Sequence, residues 1–222
     1  MLKQGVILLS FDDTNIEDYT IAYQEQVDRG MDPAGTSYII TDRVTADYMN
    51  WTQMKEMMGN GWDIQCHSHT HSSKWYDTPQ TMTVNEIAAE MVAVNGIFAD
   101  NGLPPPRHHA HPGGKGKRHN LLIGRTISLF RLSQRTIASQ YITKSVDLEL
   151  LPTNSFVSMT LDEIEKIFYT CKTYGLGYGL YTHSNELTDA NALAKYRHVL
   201  DLSEDMGVRI VGINKLYEML TR

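Results

Sequence analysis

The sequence predicts an α/β fold in which helices surround a parallel sheet. Segments of strand length, most of them apolar, alternate along the chain with segments of helical periodicity, as in repeated strand–helix–strand units. Polar, ionisable residues follow the ends of several predicted strands, as they do in parallel-sheet enzymes. The 222 residues, 41% hydrophobic and 21% charged, suit a single globular domain spanning residues 1–222. A closed barrel and an open doubly wound sheet both satisfy these observations.

About seven strands are predicted. The first, residues 5–11, is a near-continuous apolar run, typical of a strand buried on both faces. The others are expected at residues 37–40, 62–66, 107–111, 129–132, 178–182 and 208–211. Apolar residues at helical spacing predict helices near residues 19–27, 51–58, 84–98, 164–171, 193–200 and from 214. Thr83 with Glu86 forms a capping-box pattern at the start of the third helix. Residues 120–152 have the least regular pattern.

Charge and composition narrow the function classes. The formal charge of −6, with 20 basic against 26 acidic residues, argues against a nucleic-acid binder, which more often presents a basic face. Mean hydropathy is −0.34, and no apolar run approaches the roughly 20 residues of a membrane span. Cys66 and Cys171 are too few for a disulfide framework. The N terminus enters the first predicted strand with no recognisable secretory signal, so the compartment stays open, as does the oligomeric state.

Four predicted strand ends carry the residues of chemical interest. Asp12 and Asp13 follow the first strand, His67 the third, a histidine-rich segment the fourth and His183 the sixth. Because the carboxyl ends of parallel strands meet at one edge of a sheet or barrel, these residues are expected on one face of the molecule.

The first of these groups is a pair of adjacent carboxylates. Asp12 and Asp13 repel one another unless a cation or a proton separates them, so one could bind a metal while the other acts as a base. The alternative is a solvated turn or a helix N-cap, because Asp often caps helices.

The second group is the segment 67–71, which reads His-Ser-His-Thr-His. Histidines 67 and 71, at i and i+4, lie on the same side of a helical turn and could bind one metal ion. In an extended segment His67 and His69 would do so instead, and a polar surface loop is the remaining alternative. Two histidines with one carboxylate leave a coordination position open for water, as in catalytic zinc sites.

Two further segments are ambiguous on their own. Residues 105–114 (PPRHHAHPGG) predict either a second metal site or a pocket wall, and we favour the wall because Gly permits close backbone approach to a ligand. His183 alone is typical of a structural histidine, but on the same face as a metal site it becomes a candidate general acid. Trp75 and Tyr76 could stack on a sugar ring or pack in the core.

Taken together and in chain order, these segments resemble the polysaccharide deacetylase family, also called the NodB homology or carbohydrate esterase family 4 group. The first family motif, Thr-Phe-Asp-Asp, is similar to residues 10–13 (Ser-Phe-Asp-Asp), and the second, His-Ser/Thr-x-x-His, to residues 67–71. Residues 110–114 resemble the third motif and residues 181–183 the last. The likeness runs over nearly the whole chain and is weakest in residues 120–152.

The resemblance implies a distorted (β/α) barrel with about seven parallel strands, in agreement with the strand count above. It implies that the metal ligands are Asp13, His67 and His71. It also implies Asp12 as the general base and His183 as the general acid. The metal is expected to be Zn²⁺, although Co²⁺, Ni²⁺ or Fe²⁺ could use the same ligands. Substrate or oxyanion contacts are expected from His111, Pro112, Gly113 and Tyr181.

The chain departs from the family pattern in three places. The third motif usually carries an Arg that pairs with the catalytic Asp, but Ala110 stands there, with Arg107, Arg131 and Arg135 as candidate replacements. Tyr181 stands where a Leu usually lines the acetyl pocket. The Asp that supports the catalytic His has no clear counterpart, and Asp147 is the only candidate that we name.

The expected function is therefore metal-dependent removal of acetyl groups from a carbohydrate. The expected partner is an acetylated poly- or oligosaccharide, either N-acetylglucosamine-containing or O-acetylated. The altered third motif also permits two alternatives: a small-amide or cyclic-imide hydrolase on the same fold, and a glycan-binding module with weak or no catalysis. The resemblance suggests an extracellular or cell-surface location.

Overall fold

A computed structural model describes residues 2–76, 81–114 and 121–222. Seven parallel strands close into a barrel in the order β1-β2-β3-β4-β5-β7-β8, and β8 pairs back onto β1 along its whole length. This closure confirms the barrel and excludes the open sheet. The barrel strands are β1 (Val6–Asp12), β2 (Thr36–Ile39), β3 (Asp63–Cys66), β4 (His108–Ala110), β5 (Ser133–Ile137), β7 (Leu151–Ser155) and β8 (Gly177–His183).

Two short strands distort the barrel. Strand β6 (Tyr141–Ile142) runs antiparallel to β8. Strand β9 (Arg209–Val211) pairs with the first residues of β1, whereas β2 pairs with its last residues. Because β8 occupies the other edge of β1, strands β2 and β9 share one edge of β1 between them.

Helices and a π-helical turn (Asp18–Tyr23) connect the strands. The helices are α1 (Gln24–Asp28), α2 (Trp51–Gly59), α3 (Val84–Asp100), α4 (Leu121–Ile127), α5 (Leu161–Tyr174), α6 (Ala190–Met206) and α7 (Ile213–Thr221). The predicted capping box forms at Thr83, whose hydroxyl accepts from the Glu86 N–H. Gly175 and Gly207 adopt the left-handed conformation at the ends of α5 and α6, where a residue with a Cβ would be strained. Over the described ranges, no helix is long and apolar enough to cross a membrane.

The strand predicted at residues 129–132 is wrong. These residues follow α4, and Leu129 is 81% exposed. The actual strands nearby are β5 and β7, with sequences SQRTI and LPTNS. Neither has the apolar pattern on which the prediction relied, and β7 is a barrel strand that the sequence pattern missed.

Alternate residues of β1 divide the interior from the surrounding helical layer. Ile7, Leu9 and Phe11 pack in the larger hydrophobic core with side chains of the helices. Val6 and Leu8 point the other way, into a second core that includes Leu216 and Leu220 of α7. Further along the same inward face, β1 carries Ser10 and Asp12. The barrel interior is therefore apolar at the amino ends of its strands and polar at their carboxyl ends.

Candidate metal centre and active site

The carboxyl ends of β1 and β3 bring Asp13, His67 and His71 together. Oδ1 of Asp13 lies 3.3 Å from Nε2 of His67 and 3.6 Å from Nε2 of His71. In the described part of the chain, these three residues form the one group of histidine, cysteine and acidic side chains placed to hold a metal ion, with ligand atoms within 4.8 Å of one another. His69 lies outside this group, and its Nδ1 is 2.8 Å from the Thr41 hydroxyl.

The donor atoms of this cluster fit a divalent cation. Nδ1 of His67 lies 2.8 Å from the Ala110 carbonyl, a contact that requires a proton on Nδ1 and leaves the lone pair of Nε2 facing Asp13. Oδ1 of Asp13 is buried and has no hydrogen-bond partner among the described residues. Lone pairs facing one another at these distances repel unless a cation or a proton lies between them. Two imidazoles and a carboxylate are a donor set that zinc accepts.

Protonation states in the cluster also suit metal binding. Burial alone would raise the pKa of Asp13, but the neighbouring imidazoles of His67, His71 and His183, when they are charged, hold that pKa well below its usual range. Burial, followed by the charge of His67, lowers the pKa of His71 to about 4. At neutral pH the site therefore presents a carboxylate and a neutral His71 imidazole, the forms that bind metals.

Arg43, which the sequence analysis did not identify, contacts the metal-binding cluster from the side away from the histidines. Nη1 of Arg43, from the turn after β2, lies 3.0 Å from Oδ2 of Asp13. Arg43 thus engages the carboxylate oxygen that faces away from the histidines. No motif surrounds Arg43 in the sequence, so only the fold reveals this contact.

The histidine segment 67–71 is not helical, although the i, i+4 argument assumed a helical turn. Ser68 has φ +76° and His71 φ +50°, and the hydroxyl of Ser68 accepts from the His71 N–H at 3.0 Å. Two left-handed residues turn the chain back, so that the His67 and His71 rings lie 5.0 Å apart between centroids. The predicted ligand pair is brought together, but by a strained loop.

Asp12 lies beside the cluster and is bound by an arginine from across the barrel. Nη2 of Arg135, on β5, donates to Oδ2 of Asp12, and both side chains are nearly inaccessible to solvent. Nη1 of Arg135 donates to the Thr153 hydroxyl on β7 at 3.0 Å. Oδ1 of Asp12 has no hydrogen-bond partner in the described regions. One oxygen of Asp12 is therefore held by a cation, and the other is available.

Of the three candidate replacements for the third-motif Arg, Arg135 is the one that pairs with Asp12. Its guanidinium lies between two aromatic rings, 5.1 Å from the centroid of Tyr38 and 4.8 Å from that of Tyr181. Of the other two candidates, Arg131 donates to the carbonyl of Phe130, and Arg107 is exposed. Tyr181 is therefore part of the Arg135 cage as well as a neighbour of His183, whose ring centroid is 6.3 Å away.

His183 ends β8 next to Asp12, its register partner on β1. Its side chain is 43% exposed, and Nδ1 lies 3.8 Å from the carboxylate of Glu186. Asp147 caps the turn that leads into the amino end of β7, so it lies at the opposite end of the parallel barrel from His183. The carboxylate near His183 is Glu186 rather than Asp147.

The histidines of residues 105–114 do not form a second metal site. His108 and His109 lie within β4 and are fully buried, and no second metal-binding group exists among the residues that the structure describes. His111 was expected at the substrate, but its side chain is 2% exposed, with Nε2 2.8 Å from Oε1 of Gln134. Strand alternation explains this placement, because His111 follows His109 on the outer face of the barrel.

Pro112 and Gly113 lie in the turn after β4. Gly113 has φ +66°, and a Cβ there would lie 2.7 Å from the Tyr76 side chain. Tyr76 in turn lies 6.0 Å from His71 between ring centroids. Trp75 is 2% exposed and belongs to the core, so the core interpretation holds for this residue.

A fully buried carboxyl group stands behind the site. Asp18, in the π-helical turn, has a pKa raised to about 7. Burial is the main cause, opposed by the nearby hydroxyls of Ser184 and Ser37 and reinforced by the charges of Asp12 and Glu17. Neither carboxyl oxygen of Asp18 has a hydrogen-bond partner among the described residues.

Comparison with known proteins agrees with this geometry. Residues 2–128 match the family model of polysaccharide deacetylases. No curated protein sequence matches the chain. Among solved structures, a family 4 carbohydrate esterase from Streptomyces lividans, in complex with acetate, is 15% identical with a TM-score of 0.64, over 96% of this chain and 94% of that one.

Other solved structures share the fold to different extents. A family 4 acetyl xylan esterase from Clostridium thermocellum, in complex with a cobalt ion, is 15% identical with a TM-score of 0.62, over 96% of this chain and 91% of that one. A Streptococcus pyogenes deacetylase, PplD, in complex with acetate, is 22% identical with a TM-score of 0.56. That match covers 66% of this chain, which spans 62% of PplD.

A pseudoenzyme of carbohydrate esterase family 4 from Bacillus anthracis has the fold as well, at 14% identity with a TM-score of 0.61, over 97% of this chain and 66% of that one. At such identities the structural likeness shows the fold alone, whereas the sequence match covers more than half of the residues. The chain belongs to the polysaccharide deacetylase family.

Proposed function

We propose that this protein is a metal-dependent hydrolase that removes acetyl groups from a carbohydrate, with residues 1–222 acting as one catalytic domain. The observation that carries the proposal is that two groups of residues lie side by side at the carboxyl end of the barrel. Asp13, His67 and His71 offer three metal ligands within 4.8 Å of one another. Asp12, tied to Arg135, lies alongside them with one free oxygen.

In this proposal Asp13, His67 and His71 hold the metal, with zinc preferred for this donor set. A divalent cation bound there would polarise a water molecule and the acetyl carbonyl. Asp12 accepts a proton from the attacking water through Oδ1, while Arg135 keeps Oδ2 engaged and fixes the direction of the carboxylate. An oriented base of this kind is typically worth 10²–10⁴-fold in rate.

His183 completes the reaction as general acid. The water oxygen bonds to the acetyl carbon, and the bond from that carbon to the sugar nitrogen or oxygen breaks. His183 gives a proton to the departing atom, which leaves as an amine or an alcohol together with acetate. Its exposed position beside Asp12 suits contact with a bulky sugar, and Glu186 is placed to orient its ring. Backbone N–H groups near Gly113 are the proposed oxyanion donors, with Pro112 and Tyr181 shaping the wall.

The geometry of the site also bears on the two alternative functions, a glycan-binding module and a small-amide hydrolase. The reason to consider a non-catalytic glycan-binding module was the missing third-motif Arg. Arg135 supplies a cation to Asp12 from β5, so this reason is removed. A small-amide or cyclic-imide hydrolase would use the same groups and differs only in the substrate.

The experiment that tests the proposal is acetate release with zinc supplied, from N-acetylglucosamine oligomers and from acetylated xylan in parallel. Release from one class is expected, and it identifies the leaving atom as nitrogen or oxygen. Asp12→Asn, which preserves shape but not the base, is the matched variant. It should lower the rate by about 10²-fold or more while keeping the metal.

Two results would contradict different parts of the proposal. Release from neither substrate class, by a zinc-loaded protein, would contradict carbohydrate deacetylation and favour the small-amide or binding alternatives. Full activity of Asp12→Asn would contradict the assigned base while leaving the substrate class intact.

A further inference from the structure

The loop that carries both histidine ligands is under backbone strain. Ser68 and His71 have positive φ, at +76° and +50°. The left-handed conformation is unfavourable for an L-residue with a Cβ. Such a conformation persists only where surrounding contacts enforce it. Something must therefore hold the residues between His67 and His71.

That support comes from Glu90 on α3. Its Oε2 accepts from the backbone N–H groups of His69 at 2.7 Å and of Thr70 at 3.0 Å. Its Oε1 accepts from the Thr70 hydroxyl at 2.6 Å. These three contacts hold His69 and Thr70, two of the three residues between the ligands.

Burial makes these contacts consequential. Glu90 is 8% exposed and follows Ile87 and precedes Met91 on the buried face of α3. A buried carboxylate is costly unless its oxygens are hydrogen bonded, and three donors from one loop meet that need. Within the segment, Ser68 accepts from the His71 N–H, and the Cys66 sulfur accepts from the Ser68 N–H at 3.4 Å. The turn after β2 adds contacts to His69, whose carbonyl accepts from the Asp42 N–H at 3.1 Å and whose Nδ1 lies 2.8 Å from the Thr41 hydroxyl. Glu90 is the contact that anchors the loop to a separate, rigid helix.

We propose that Glu90 is a positioning residue of the metal centre, which holds the loop so that His67 and His71 present their Nε2 atoms to one ion. The inference rests on the proposed function, because it assumes that this cluster binds a metal. It assigns Glu90 no contact with metal or substrate. Loss of a group that orients metal ligands typically weakens metal binding 10–100-fold.

The test uses Co²⁺ alone as the probe, added to the metal-free full chain. Glu90→Ala should raise the Co²⁺ dissociation constant about 10–100-fold and change the visible absorption bands of the bound ion, which report ligand geometry. Glu90→Gln keeps one acceptor oxygen and should have a smaller effect in the same direction. Glu90→Gln also tests the proposal if Glu90→Ala does not fold.

Glu86→Gln is the matched control, since the same change is made one turn earlier on the same helix. Glu86 is half-buried and pairs with Lys74 and the Thr83 cap, not with the histidine loop. This variant should bind Co²⁺ like the wild type, with the same spectrum.

The outcomes separate the two proposals. Glu90 variants that melt earlier but bind Co²⁺ with wild-type affinity and spectrum would show a merely structural role and overturn the inference. A wild-type protein that binds Co²⁺ tightly but releases no acetate would remove the proposed function and leave the role of Glu90 standing. A wild-type protein that binds no Co²⁺ would overturn both.

Discussion

The described part of the chain has two histidine clusters, and one of the two is placed to bind a metal. In the segment 67–71, two rings turn their Nε2 atoms toward one unpaired carboxylate oxygen. In β4, His108 is bonded to Ser133 and Asn214, and His109 lies 3.3 Å from the Cys66 sulfur. The first cluster offers free lone pairs to an ion. In the second cluster, most ring nitrogens contact other protein groups and so stabilise the fold.

A neighbouring carboxylate accounts for the difference. Strand β4 is extended, so His108 points to the interior while His109 and His111 share the outer face, with ring centroids 4.9 Å apart. The loop after β3 uses left-handed residues to fold back, which brings the rings of His67 and His71 to a similar separation of 5.0 Å. Burial lowers the pKa of His108 and of His111 to about 4, so neutral rings are not what distinguishes the clusters. The unpaired oxygen of Asp13 beside His67 and His71 distinguishes the first cluster.

The largest expected effect is that of His71→Ala. Removing one of three ligands should abolish stoichiometric metal binding, and deacetylation should fall by about 10²–10³-fold or more, as when a main stabiliser of developing charge is lost. Metal analysis of the purified variant and acetate release check this. A His71→Ala protein with unchanged metal content would remove His71 from the ligand set.

The matching change in the second cluster is His108→Ala. It should keep the metal and lower the free energy of unfolding by about 1–3 kcal/mol, because Ser133 and Asn214 lose a buried partner. Denaturant titration measures the loss of stability, and metal analysis tests whether the ion is retained. Metal loss in His108→Ala without loss of the fold would break the distinction between the two clusters.

A second prediction concerns Arg135, which lies between the metal face and the barrel interior. Arg135→Met leaves Asp12 without its buried cation and should cost about 3–5 kcal/mol in stability. Activity should fall by roughly 10²-fold as the base loses its orientation, with the metal retained. Thermal melting, metal content and initial rates measure the three effects.

Arg135→Lys is the informative companion to this variant. It keeps the charge but not the planar group that contacts two rings and two acceptors at once, so only partial recovery is expected. Wild-type rates in Arg135→Met would show that Asp12 needs no cation.

The third prediction concerns the pH dependence of stability due to Asp18, which affects the fold and not the metal site. Its pKa is about 7 in the folded protein against 3.8 as a reference, so between these values the unfolded chain loses a proton that the native protein keeps. Stability therefore falls as pH rises from about 4 to 7, by up to about 4 kcal/mol. Asp18→Asn should lack this loss and gain on the wild type as pH rises.

Denaturant titrations at pH 5 and pH 8 measure that gain. Asp28→Asn, at an exposed position, controls for the loss of one carboxyl group. A constant difference between Asp18→Asn and the wild type across this range would contradict a protonated Asp18.

Much of the barrel could be predicted from sequence, because strands such as β1 and β3 bury apolar side chains in a recognisable pattern. Strands β5 and β7 could not, since they line the polar end of the barrel with Arg135 and Thr153. A strand that faces an active-site interior loses the apolar signature on which prediction depends. The false strand at residues 129–132 was an apolar run that lies largely at the surface.

The candidate site divides in a similar way. Asp12, Asp13, His67, His71 and His183 were predicted from motifs and strand ends, and the structure brings them to one face. The contacts of Arg135 with Asp12 and of Glu90 with the loop connect residues far apart in sequence. Arg135 was one of three candidates, and only the barrel geometry distinguishes it. For Glu90, a lone charge on the apolar face of a helix was the available signal.

The apolar cluster that α7 and β1 form at the amino ends of the strands determines from which end molecules can reach the barrel interior. Val6, Leu8, Leu216 and Leu220 fill that end, so the described barrel interior is closed at the amino ends of its strands. In the reaction that we propose, water, sugar and acetate would therefore enter and leave at the carboxyl ends of the strands. The order in which the two products depart would then depend on the architecture of the barrel as well as on the chemistry.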